Sequence, residues 1–152
     1  MPDLLAGSPI TALDTPPSPS SVQGTTITTT STTFVATGAD CAVTFTAPTT
    51  GRVKLITSAR MTNAAANGTS GTLVAPETRL GSVVGSGTVV EAASDAIGPS
   101  HYGAAFSSIT RTHLLTGLTP GAVYNSRLLI RTSNTLDTAS VANRELIVEP
   151  AT

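Results

Sequence analysis

The chain has 152 residues, enough for one domain with a single core, and a net charge of −1 with only 11% charged side chains. That balance supplies neither the basic stripe that neutralises nucleic-acid phosphates nor a polybasic patch for an anionic lipid surface, so neither partner is expected. No run of about 18 apolar residues is present, so no membrane-spanning helix is expected.

Residues 1–14, MPDLLAGSPITALD, hold Leu4, Leu5, Ile10 and Leu13 between the helix breakers Gly7 and Pro9. The segment is too short to fold alone and is expected to be an extended docking arm, with those four residues as its anchors. It has no basic n-region, so it is not expected to be a signal peptide. Residues 15–24, TPPSPSSVQG, are rich in Pro and Ser, which favour extended geometry and predict a semi-rigid spacer. The globular body is then residues 25–152.

From residue 25 strands are predicted in succession. The run 25–37, TTITTTSTTFVAT, is dense in β-branched residues. Cys41, Val43 and Phe45 alternate with Ala42, Thr44 and Thr46, and Val53, Leu55, Thr57 and Ala59 alternate with Arg52, Lys54, Ile56 and Ser58. Residues 61–71 are expected to be a loop around the turn dipeptide Asn67-Gly68. Further strands are predicted at 72–79, 83–90, 104–114, 122–132 and 142–149, with Glu91–Ile97 the best helical candidate at about two turns. The glycines of 81–87, GSVVGSG, fit hairpin turns rather than a dinucleotide loop.

About eight short strands at regular spacing predict an all-β antiparallel sandwich, of jelly-roll or immunoglobulin/fibronectin-like topology. Several strands are apolar on both faces. Tyr124, Ser126, Leu128 and Ile130 share one face, and Val123, Arg127, Leu129 and Arg131 the other. The second face needs cover from the same chain or from another subunit. Aromatics are only 3%, with no Trp. A core of Val, Ala and Thr gains little at about 25 cal/mol per Å². Modest stability alone, and cover from another subunit, are therefore the expectation. Seven of the eight cations are Arg, which suits fixed bidentate contacts, with Lys54 the exception.

Sites of chemistry are sparse. Cys41 cannot form an internal disulfide and reads as a small buried hydrophobe. His101 and His113 have no Cys or carboxylate pattern around them that zinc requires, so no metal and no cofactor is expected. Glu91 and Asp95 are the one carboxylate pair to weigh for glycoside cleavage. Asn67-Gly68-Thr69 matches a glycosylation sequon but is more simply a turn. An enzyme is the class least expected. A carbohydrate-binding module, with Tyr102 and Phe106 as platform and His101 beside them, is a third possibility.

Phe45-Thr46-Ala47-Pro48-Thr49-Thr50-Gly51-Arg52-Val53 resembles a strand–turn–strand phrase of trimeric jelly rolls, including heads of complement and tumour-necrosis-factor-like proteins and phage surface proteins. Leu118-Thr119-Pro120-Gly121-Ala122-Val123-Tyr124 resembles a phrase of fibronectin-III-like sandwiches. That likeness implies that Tyr124 forms a structural tyrosine corner. Ala6–Asp14 resembles the opening of many phage minor tail and head-surface proteins, and the whole chain, ending in Arg144–Pro150, is similar to small virion proteins of tailed phages and prophages of actinobacteria. This last likeness implies a homotrimeric capsid decoration protein on the virion surface, assembled in the host cytoplasm. The arm would hold it to the major capsid protein. A minor tail or fibre protein, docked on tail proteins and facing the host, is the close alternative.

Overall fold

The computed structural model describes residues 16–38, 40–64 and 69–152. The anchor candidates Leu4, Leu5, Ile10 and Leu13, and the Asn67-Gly68 turn with its sequon, lie outside them. The strands are β1 (Ser20–Gln23), β2 (Ile27–Thr29), β3 (Ala42–Thr46), β4 (Val53–Asn63), β5 (Gly71–Leu80), β6 (Val89–Glu91), β7 (Ser100–Tyr102), β8 (Ser107–Leu115), β9 (Val123–Thr132) and β10 (Ala139–Pro150). The first sheet has the order β1-β10-β4-β8, with β2 also on β10; the second has the order β3-β9-β5-β6, with β7 also on β5. The chain is an all-β antiparallel sandwich.

The pairings nest. β1 meets β10, β3 meets β9, β4 meets β8, and β5 meets β6 and β7. The β10–β4 and β9–β5 ladders then join these pairs into the two sheets. This winding, a long hairpin rolled so that its halves alternate between sheets, is that of a jelly roll. It decides between the two topologies that the sequence left open. Ser20–Gln23, inside the stretch that reads as a spacer, is the edge strand β1.

Alternation fixes the core. Along β4, Val53, Leu55, Thr57, Ala59 and Met61 point inward and are buried, while Lys54 and Arg60 are exposed. They meet Val43, Phe45, Tyr124, Leu128 and Ile130 from the second sheet and Val141, Leu146 and Val148 from β10. The predicted loop from residue 61 starts later, because Met61 and Asn63 continue the inward set. Asn63 is tolerated inside because its amide donates to Thr132 Oγ1 at 3.3 Å.

Four further expectations give way to local chemistry. Of 25–37 only Ile27–Thr29 is a strand, followed by a single bridge from Val35 to Ile130. There the N–H of Ser31 donates to Thr29 Oγ1 at 3.1 Å and that of Thr33 to Ser31 Oγ at 3.2 Å. Such local hydroxyl bonds compete with a ladder. Of 83–90 only the last residues are strand, since Gly81, Gly85 and Gly87 take φ of 112°, 75° and 93°. The helical candidate Glu91–Ile97 begins as β6 and ends in a turn, where Ile97 N–H donates to Ser94 O at 3.3 Å. The run 104–114 is β8 preceded by a turn at Gly103, whose φ is 124°.

On the outer face of the second sheet, one of the two covers open in the sequence, another segment of the same chain, is in place over part of the apolar face. Asp95 reaches across β5 to Arg131 on β9, so residues 92–97 lie over that face. Ile97, Leu73, Ala75 and Leu129 are all buried, yet stand apart from the inter-sheet core. Their cover is this excursion of the same chain. Gly98 is pressed so closely on the backbone of Val74 and Ala75 that a Cβ there would overlap it. The first sheet's outer face carries exposed Val22 and Leu114 beside half-buried Ile56 and Ile147.

The ladder of β10 breaks between Ala142 and Glu145, where Asn143 sits at φ 45°. This bulge turns Arg144 inward, to 1% exposure, with Nη2 donating to Thr25 O at 3.3 Å in the gap between β1 and β2. Burial pulls the Arg144 pKa down. Burial likewise pushes the Cys41 thiol up, opposed by the hydrogen bond its Sγ donates to Ser21 O at 3.3 Å and by the nearby Arg144.

Candidate functional site

The two ends of the sandwich differ. At one end β3 turns into β4, β5 into β6 and β8 into β9, and β10 finishes. The two phrases noted in the sequence meet here. Ala47 N–H donates to Ala122 O at 2.9 Å, Gly121 N–H to Ala47 O at 3.0 Å, and Leu118 N–H to Gly51 O at 3.0 Å. Gly51 is required, because its φ is 64° and a Cβ would come within 2.5 Å of Leu118 O. Tyr124 closes the arrangement from below. It is buried, stacks on Phe45 with ring centroids 5.8 Å apart, and accepts the N–H of Thr119 on its hydroxyl at 2.9 Å.

The loop 81–88 joins them. Gly81 N–H donates to Val123 O at 2.8 Å, and Thr44 Oγ1 to Ser82 O at 3.3 Å. Asn125, wholly buried, donates its amide to Gly81 O at 2.9 Å and Ser86 O at 3.2 Å and accepts from Gly85 N–H at 3.0 Å. Arg79 donates to Gly87 O at 3.0 Å, while its other nitrogens hold Glu77 at 2.9 and 3.0 Å. Arg127 Nε adds a bond to the same carboxylate at 3.1 Å. The Arg79 hydrogen bond, opposed by burial and supported by Arg127, holds the Glu77 pKa below the usual carboxylate range. Fixed in this way, the loop presents Val83 at 66% and Leu80 at 45% exposure, beside exposed Val84, Val89 and Val123.

Charge at this end is sparse: 41–51, 80–90 and 112–126 hold no Asp, Glu, Lys or Arg, although Arg52 closes the β3–β4 turn and Glu149 stands beside Lys54 where β10 finishes. The described chain also starts here, since Pro19 O accepts the N–H of Val148 near the finish of β10. The first described residues therefore lie at this charge-poor end. Apolar, charge-poor surface held by hydrogen bonds is the composition of an interface centre.

The other sequence candidates are scattered. Glu91 pairs in register with inward-facing Thr78 and lies 3.8 Å from His113 of the facing sheet, whereas Asp95 is on the outer face. The two carboxylates do not form a pair. Tyr102 is in register with Gly71 on the second sheet, while Phe106 lies under the Arg60 guanidinium of the first, 4.1 Å from its ring centroid. His101 Nε2 is 2.7 Å from Ala105 O and folds the turn between β7 and β8. Among the described residues no three His, Cys, Asp or Glu side chains gather as a metal site requires. What sequence reasoning missed is the absence of charge from three separated loops, a signal present in the chain but meaningless until the winding brings those loops together.

No family of known proteins matches the chain, and no curated protein sequence matches it.

Proposed function

We propose that this chain is a non-enzymatic virion structural protein of a tailed phage. It acts as a capsid decoration protein, seated on the major capsid protein by its charge-poor end and by the arm that precedes it. The observation that carries this reading is the shared location of three charge-poor loops, the exposed Leu80 and Val83, and the first described residues of the chain. Two attachments at one end act as a linked pair, so each raises the effective concentration of the other. Bound copies would strengthen the shell by adding contact area across capsomer joints. The phage-like opening and ending of the chain, and the jelly-roll winding of the body, support the same assignment. A homotrimer is the assembly this reading carries, and ultracentrifugation would then give three times the 15.2 kDa chain mass.

The test is occupancy on purified particles, counted by mass spectrometry. Copies in the hundreds support decoration; a few to a few tens support a minor tail or fibre protein instead. Deleting residues 1–14, or replacing Val83 by Asp, is expected to strip the protein from particles while leaving its far-ultraviolet circular dichroism unchanged. Full occupancy with both changes combined would reject attachment by this end.

A further inference from the structure

Residues 92–97 do more than cover the second sheet. Between them and the segment leading into the Val35 bridge lies an open cleft of about 620 Å³, lined by Thr32, Thr33, Phe34, Ser94, Asp95 and Arg131 among others. Its floor is rigid. Arg131 Nε donates to Asp95 Oδ1 at 2.9 Å, and Nη2 bonds Asp95 Oδ2. Nη1 donates to Thr132 O at 3.1 Å and Thr32 O at 3.4 Å. All three guanidinium nitrogens are thus engaged, and the guanidinium carbon lies 5.5 Å from the Phe34 ring centroid. Ser31 Oγ donates to Thr33 O at 2.8 Å and fixes the facing wall.

We infer that this cleft is a saccharide-binding site, taking a neutral pyranose from a surface glycan. Its charges cancel, Asp95 against Arg131. A phosphate would find the guanidinium already paired, and a cation would find the carboxylate already paired. Asp95 is nevertheless 55% exposed at its side chain, so its oxygens keep lone pairs facing the opening. A carboxylate held in this way accepts hydroxyl hydrogens well. Thr32, Thr33 and Ser94 add hydroxyls of both hydrogen-bonding senses, and the Phe34 ring offers an apolar surface to the C–H face of a sugar ring. Walls held by such bonds lower the ordering cost that weak sugar sites cannot meet. The site lies on a side wall of the sandwich, away from the uncharged loops, so the inference stands whether or not that end seats the protein on a capsid.

The experiment is saturation-transfer NMR on the full chain. The probes are glucose, galactose, mannose, rhamnose, maltose and cellobiose, with inorganic phosphate and glucuronate as charged comparisons. At least one neutral sugar is expected to receive saturation. Phe34→Ala and, separately, Asp95→Asn are expected to weaken that sugar at least about tenfold, a loss of roughly 1.4 kcal/mol. Asp95→Asn keeps the side-chain size and gives up an ion pair whose carboxylate is largely exposed, so its thermal midpoint should fall only slightly, while far-ultraviolet circular dichroism stays that of the parent. The assignment fails if no neutral sugar responds, if only phosphate or glucuronate does, or if the response survives both substitutions.

Discussion

Replacing Asn125 by Ala removes the one side chain that ties three points of the 81–88 loop to the second sheet. Its amide donates to Gly81 O and Ser86 O, and its carbonyl accepts from Gly85 N–H, at 2.9, 3.2 and 3.0 Å. At about 1 kcal/mol net for each bond the ceiling is about 3 kcal/mol. Ser86 is exposed and its carbonyl turns to water at little cost, whereas Gly81 and Gly85 are half-buried and must move to do so. A loss of about 2 kcal/mol follows, which for a chain of this size is about 4–8 °C in melting midpoint. Thermal unfolding followed by circular dichroism reads the shift, and amide exchange reads where it arises. Residues 81–88 should exchange faster while β4 and β9 keep their protection. Particle occupancy should fall as well, because the valines would no longer be held in one arrangement. A midpoint within about 1 °C of the parent, with unchanged exchange in the loop, would refute the argument.

Tyr124→Phe deletes the acceptor of the Thr119 N–H but keeps the stack on Phe45, so a loss of about 1 kcal/mol is expected, read as about 2–4 °C in midpoint. An unshifted midpoint would show the hydroxyl to be idle. Gly51→Ala places a Cβ against Leu118 O at φ 64° and should destabilise by about 1–3 kcal/mol in urea unfolding, whereas a neutral result would mean that the two turns separate freely. Glu77 has its pKa lowered in the fold, so its contribution is present above the usual glutamate value of about 4.3 and is lost as pH falls through the folded value. The stability gap between the parent and Glu77→Gln should therefore be wide at neutral pH and close in acid. A gap that stays constant from neutral pH down to about pH 3 would contradict the assigned charge pairing.

The sandwich was legible where alternation is strict. Val43 and Phe45, the inward set of β4, and the two faces of β9 all read correctly, because a period of two leaves one face for the core. The threonine run misled, since β-branching predicts a strand but hydroxyls at Ser31 and Thr33 satisfy their own backbone first. The cover over Leu129 was illegible, because whether a second apolar face meets a neighbour or its own chain depends on contacts between residues distant in sequence. Asp95 illustrates the same limit. In sequence it stands beside Glu91, yet its partner is Arg131, 36 positions away, on the opposite side of the sheet from the one Glu91 faces. The turn phrases at 45–53 and 118–124 were each visible, but they imply different folds singly. Their mutual hydrogen bonds belong to one winding and could be found only in the folded chain.

Both candidate surfaces come from one departure from an ideal jelly roll. The position opposite β5 is filled by β6 and β7, a strand interrupted at 92–99 and joined to β5 by a long loop at 81–88. An uninterrupted partner with a tight hairpin would leave the second sheet's outer face bare. Instead the loop and the interruption fold back over it, and the charged and amide side chains of β5 and β9 hold them there: Asn125, Arg79 and Arg127 with Glu77 for the loop, Arg131 with Asp95 for the interruption. Charge is thereby spent inside the cover rather than displayed on it, which leaves the loop tip apolar and the cleft electrically balanced. If that division of labour is right, the two surfaces are separable. Asn125→Ala should impair seating on particles without touching sugar binding, and Asp95→Asn should do the reverse. A variant at either position that abolished both would mean that the cover moves as one body.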